Sequence, residues 1–333
     1  MSHMESYRSY RLALASATLA LALLPAVSTA QTLIVLNKND ATMSFIDPAT
    51  GKTLGTVPTG EAPHEAAVST DGKLAFAANY GAQTPGNTIS VIDIATRKEV
   101  RKLDVSPLRR PHGLFAHDGK LYFTAEINRT IGRYDPATNK IDWILGTGQP
   151  GTHMVLSNKD GSVLFTANIG GDSMSVIERG NNPLAWNVTI VPVGKGPEGF
   201  DLSPDGKQLW AAHSRDGAVS VIDVATKKVT QTIDAQTKRS NRLKFTPDGA
   251  HALISDLDAG DLVIIDTATR KVTKRLPLGK QPEGILIVPD GSRAFVALAG
   301  DNQLAVVDLK TFEVTSRIPT GGNPDGMAWV PKS

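Results

Sequence analysis

Six histidines follow residue 30, and four of them fall into two columns of one repeating frame. His64, His112 and His153 sit in "PHEAAVSTDG" (63–72), "RPHGLFAHDG" (110–119) and "THMVLSNKDG" (152–161). The frame continues as "PEGFDLSPDG" (197–206), "SNRLKFTPDG" (240–249), "PEGILIVPDG" (282–291) and "PDGMAWVPKS" (324–333). The first column therefore reads His64, His112, His153, Glu198, Asn241, Glu283 and Asp325. A second column, seven residues past each turn glycine, reads Asn79, Glu126, Asn168, His213, Asp256 and Leu298, with Asn37 as its counterpart near the start. Imidazoles gathered at one point suit Zn²⁺, Cu²⁺ or Fe²⁺, whose short bonds need several rings around one ion. The candidate ligands are His64, His112 and His153, completed by His213 or Glu198. Glu283 or Glu126 would serve as general base, and Arg242 would orient a substrate carboxylate. No ligand pair has a fixed spacing such as HExxH, so this chemistry depends on a fold that brings the columns together. His117 and His251 fall in or beside turns and read as structural.

The interval between successive members of the first column is 48, 41, 45, 43, 42 and 42 residues. Periods of about 40–50 residues suit the four-stranded blades of a β-propeller. In the fourth unit "FDLSP" reads as strand A, "KQLWAAH" as strand B, "AVSVID" as strand C and "VTQTID" as strand D. Asp-Gly marks the A→B turn in six units, where the second residue must tolerate positive φ. Asp-x-Ala-Thr at 47–50, 93–96, 135–138, 223–226 and 266–269 marks the C→D turn, its side chains placed to bond local amides. The third unit departs, with the longer "VIERGNNPLAWNVTIVPVG". The beginning of the repeat region supplies strands B, C and D ("TLIVLN", "TMSFID", "TLGTVP"), and the C-terminal segment supplies only strand A ("GMAWVP"). Joined, they make a seventh blade and remove two exposed sheet edges. The expectation is an all-β, seven-bladed propeller over 31–333, one domain without linker, with strand A innermost. The first column then converges on the channel mouth. A water-filled mouth explains polar residues there, but not the concentration of imidazoles.

Residues 1–30 read as a cleaved secretory signal. Arg8 and Arg11 precede an apolar run from Leu12 to Val27, broken by Pro25 and followed by Ser28-Thr29-Ala30. The protein is thus expected in the periplasm or secreted, with no membrane anchor after cleavage and as a monomer. It has no cysteine, which excludes disulfides, thiolate metal sites and a cysteine nucleophile. A formal net charge of +2 gives no basic bias toward nucleic acid.

With "SPDGKQLWAAHSRDGAVSVIDVATKKV" and its copies, and with "FAANYG" (76–81) and "FTANIG" (165–170), the chain resembles the YVTN-repeat propellers, which include the YncE-like periplasmic proteins. The resemblance covers the whole of 31–333 and implies an exported seven-bladed ring. It does not imply one function, because such rings carry many. One expectation is a binding protein whose mouth takes a divalent metal, a small ligand or a partner peptide, with Tyr80 and the loop 79–87 on that surface. The other is a metal-dependent enzyme of lactonase or lyase type acting on a small carboxylate or lactone. Gluconolactonase-like propellers hold their metal mainly through carboxylate and asparagine oxygens, whereas this mouth is rich in imidazole, so no catalytic residue transfers from them.

Overall fold

The computed structural model describes residues 31–182 and 185–332; the signal-like segment 1–30 lies outside the described residues. Seven four-stranded antiparallel sheets make up the described chain, and no helix occurs among these residues. Blades one to six run over 63–104, 111–146, 152–192, 197–234, 240–277 and 282–319. The seventh pairs the C-terminal strand Pro324–Val330 with Thr32–Asn37, followed by Thr42–Ile46 and Thr53–Pro58. Leu33 lies opposite Trp329 and Ile34 opposite Ala328, so the two ends of the chain close the ring in one ladder.

Each strand's composition follows its place in the blade. Strands B and C are covered on both faces by neighbouring blades and are buried and mainly apolar, as in Leu209–Ala212 and, around the buried Ser220, Val219–Ile222. Strand D is the outer edge, and Lys228–Asp234 buries only Ile233. The core is therefore a set of wedges between blades. Phe76 and Val91 of blade one pack with Leu121, Phe123 and Tyr134 of blade two. Leu33 and Val35 of blade seven pack with Phe295 and Val306 of blade six. Both turn motifs act structurally: Asp93 accepts from the Thr96 amide (2.8 Å) and hydroxyl (2.6 Å), and Gly206 sits at φ 73°.

Two local devices aim the first column inward. The residue before strand A has positive φ in six blades, including non-glycine Ala62 (47°), Arg110 (53°) and Gln281 (53°). Such values are uncommon, most of all before proline. Strand A then slips out of register. Pro63 pairs with Asn79 but the next paired residue is Ala66, and the same gap follows Pro111, Pro197, Ser240 and Pro282. This bulge frees the two residues after each of those positions from the ladder and turns them to the axis.

Candidate functional site

The mouth has an imidazole half and an ionic half. His64, His112 and His153 come from three consecutive blades, with ring centroids 5.1 Å apart for the first pair and 3.8 Å for the second. Tyr80, at the end of strand B of blade one, packs 4.5 Å from His64 and edge-on to His112 at 5.3 Å. Its hydroxyl donates to Glu126 at 2.6 Å and accepts from Arg110 at 3.0 Å, with the Arg110 guanidinium over its ring. The other Glu126 oxygen accepts from His153 Nδ1, and His64 Nδ1 donates to the Ala62 carbonyl at 2.8 Å. His112, Glu126 and His153 each bring a donor atom within 4.8 Å of the other two, a spacing that one metal ion can bridge.

The electrostatics set these groups apart. Burial, followed by the charges of its histidine neighbours, holds His112 well below the ordinary imidazole range. Burial also lowers His64 to about 4, helped by Lys38 and Arg242 against the pull of Asp325. Both rings are neutral at neutral pH, so each keeps one nitrogen lone pair. At His153 burial opposes the charge, but the Glu126 hydrogen bond and the Glu126 and Glu198 carboxylates outweigh it and raise its pKa. Two imidazole nitrogens of the mouth are left over: His112 Nδ1 and His153 Nε2 are buried with no hydrogen-bond partner. Buried polar atoms are ordinarily satisfied, so two orphans side by side mark a place for a ligand.

The ionic half is denser. Lys38 bonds Glu283 and lies 3.2 Å from Asp325, so residues near opposite ends of the chain meet here. Arg242, buried, pairs with Glu65 across the channel and lies 3.5 Å from Asp325 and 4.0 Å from Glu198. Glu198 also accepts from Asn241 Nδ2 at 2.7 Å. Burial, then the Asp325 charge, pushes Glu283 up to about 8, while Lys38 and Arg242 hold Asp325 down to about 2 against its burial. Four carboxylates, Glu65, Glu198, Glu283 and Asp325, thus face two cations, Lys38 and Arg242.

The structure gathers His64, His112, His153, Glu198, Glu283, Glu126 and Arg242 around one cavity of about 290 Å³. It does not bring His213 there: that ring is buried inside blade four, its Nδ1 donating to Asp216 at 2.9 Å. Apart from Glu126, the second column lies away from the mouth lining. Asn79 bonds the Gly60 amide and the Thr88 and Ser90 hydroxyls, and Asp256 takes the Lys238 and Arg239 amides. These residues clamp the D→A connections. Glu126 escapes because blade two has a shorter A→B turn: Ala125 occupies the clamp position opposite Pro111, leaving Glu126 one residue beyond. Counting along the sequence missed Glu65 and Lys38. For Glu65 a signal exists, since the residue after the first column reads Glu65, Gly113, Met154, Gly199, Arg242, Gly284 and Gly326, two opposite charges in a mostly glycine set.

His112 and His153, the latter binding in its deprotonated form, make with the Glu126 carboxylate a donor set for a borderline divalent cation. Comparison with known proteins adds the following. A family model described as the cytochrome D1 heme domain matches residues 112–291, just over half of the chain. Among solved structures, the chain is similar to hydrazine synthase from Kuenenia stuttgartiensis (20% identity, TM-score 0.69, covering 80% of this chain and 89% of that one). It is similar to the periplasmic gluconolactonase PpgL of Pseudomonas aeruginosa (18%, TM-score 0.73, 91% and 99%). It is also similar to the dihydro-heme d1 dehydrogenase NirN in complex with DHE (16%, TM-score 0.64, 92% and 78%). At these identities the likeness is one of fold. No curated protein sequence matches the chain.

Proposed function

This chain belongs to the cytochrome D1 heme domain family, and from that premise and the geometry of its mouth we propose that it is an exported propeller that binds a divalent metal ion. The family's name raises a haem first, and the residues do not fit one. Ile169 and Leu257 are the only apolar side chains around the mouth among the described residues. A porphyrin needs apolar walls for its two faces, whereas here three imidazoles and a phenol pack ring to ring over a floor of ion pairs. A bare ion fits better. His112 and His153 supply nitrogen, and Glu126 either completes the set or orients His153 from behind, as carboxylates do for metal-bound imidazoles. The observation that carries the reading is the pair of orphaned nitrogens on His112 and His153.

The metal is Zn²⁺, Cu²⁺ or Fe²⁺ by its imidazole donors. Export to the periplasm or beyond rests on the signal-like segment 1–30, and the finer YVTN-repeat assignment on "FAANYG", "FTANIG" and the long repeat copies. Among the described residues no helix is long and apolar enough to cross a membrane. We expect protein purified without chelator to hold close to one equivalent of metal by elemental analysis. His112→Ala with His153→Ala should lose it while circular dichroism stays unchanged. Protein that arrives empty and takes up neither Zn²⁺ nor Cu²⁺ overturns the reading. A second reading, metal-dependent hydrolysis or lyase chemistry on a lactone or small carboxylate, is favoured by Glu283, whose raised pKa suits proton transfer near neutral pH. Turnover of a lactone panel by the metal-loaded protein, abolished in Glu283→Gln, would select it; no turnover leaves a binding protein.

A further inference from the structure

The channel continues beyond the mouth. Glu65 of blade one and Arg242 of blade five form a bar across it, and on the far side lies a second cavity of about 370 Å³. The innermost strands of all seven blades contribute to its wall. Its middle is apolar, with Leu114, Phe115, Met154, Leu202, Ile285 and Met327 around it. Phe115, Met154, Leu202 and Met327 remain only partly buried although they sit on the inner strands of a closed ring.

The polar groups at its two ends decide what can enter. Arg242 is engaged by Glu65, and Lys244 lies 3.7 Å from Asp201. Neither end presents an uncompensated charge, so an ion of either sign would lose its hydration without a counter-charge. An uncharged, mainly apolar molecule loses little and dries the partly buried side chains. A cavity of about 150 Å³ with aliphatic and aromatic walls takes a benzene ring. This one has room for a two-ring molecule, and its volume and lining match ordinary ligand pockets, apolar with a few polar groups at fixed places.

We propose that this lower chamber is a binding site for a small uncharged aromatic molecule, separate from the mouth and closed off from it by the Glu65–Arg242 bar. A hydroxyl on such a ligand would reach Asp201 or Ser157, which line the same wall. The site is independent of the metal reading: it uses none of the imidazoles.

The test is a fluorescence titration of the intact protein with 2-naphthol, alongside 2-naphthoate and 1-naphthylmethylammonium as charged counterparts. Saturable 2-naphthol binding is expected, with each charged analogue weaker by about tenfold or more, a difference of about 1.4 kcal/mol. Leu202→Trp and Met327→Trp each fill the chamber and should weaken binding by at least the same factor, with folding checked by circular dichroism; either variant serves if the other fails to fold. His112→Ala should leave the affinity within about twofold. Absence of saturable binding, undiminished binding in the folded filled variants, tighter binding of a charged analogue, or loss of binding in His112→Ala overturns the proposal.

Discussion

At the scale of single residues, the mouth is governed by burial acting on groups that cannot all be charged together. Glu283 shows the sign of the effect. Its carboxyl gives up a proton near 4.5 in the unfolded chain but only near 8 in the folded one, chiefly through burial and then Asp325. Between those values the native state holds the extra proton, so unfolding releases it and rising pH favours unfolding. Wild-type stability should therefore fall between about pH 5 and pH 8 relative to Glu283→Gln, whose side chain does not titrate. Urea denaturation of both proteins across that range checks it, and parallel curves would show that Glu283 does not carry the proton. The residue scale is also where the sequence was hardest to read. The column His64, His112, His153, Glu198 was visible because one frame repeats it. Lys38 was not, because its partners Glu283 and Asp325 lie 245 and 287 positions away.

At the scale of strands, the repeat was legible almost throughout, since Asp-Gly and Asp-x-Ala-Thr are turn chemistry and the B and C strands are apolar by necessity. What sequence counting could not see was register. Dropping residues from the A→B turn of blade two moved Ala125 into the clamp position and Glu126 into the mouth, while His213, opposite Pro197 in a blade of ordinary turn length, stays among the clamps. The bulges that aim the first column leave no pattern beyond the recurrent proline and the glycines that follow. Those glycines are where neighbouring inner strands nearly touch. A Cβ added at Gly326 would lie 2.2 Å from the His64 carbonyl oxygen, and one at Gly284 2.2 Å from that of Asp325. Gly326→Ala should cost about 1–3 kcal/mol as the strands are forced apart. Gly146→Ala, where a Cβ meets nothing within 4 Å and φ is not positive, should be neutral or slightly stabilising. Chemical denaturation of the two variants gives the comparison; equal losses would mean the close approach does not constrain the ring.

At the scale of the molecule, the fold is a ring whose blades touch mainly their neighbours, with two kinds of long-range tie. One is the shared seventh blade, which the sequence announced by its missing strand A at one end and surplus strand A at the other. The other is the Glu65–Arg242 pair, which spans the channel between blades that are not adjacent. Removing one partner of a buried ion pair strands the other charge, at a cost of about 3–5 kcal/mol, while replacing both with apolar residues can be nearly neutral. Arg242→Met should lower stability by that order, and Glu65→Leu combined with Arg242→Met should recover part of the loss. The remainder reflects Asp325 and Glu198, which still face the vacated position. A double variant no better than the single one would show that Glu65 is not the charge Arg242 compensates.

The seventh blade also sets when the mouth can exist. Lys38 follows the first strand of the ring and Asp325 begins the last, and the two meet only after those strands have zipped together. Until then the acidic side of the basin lacks both its lysine and its final aspartate, and no partly threaded chain can present the finished set of charges. The finished mouth is in this way a late product of folding, reserved for molecules whose circle has already shut.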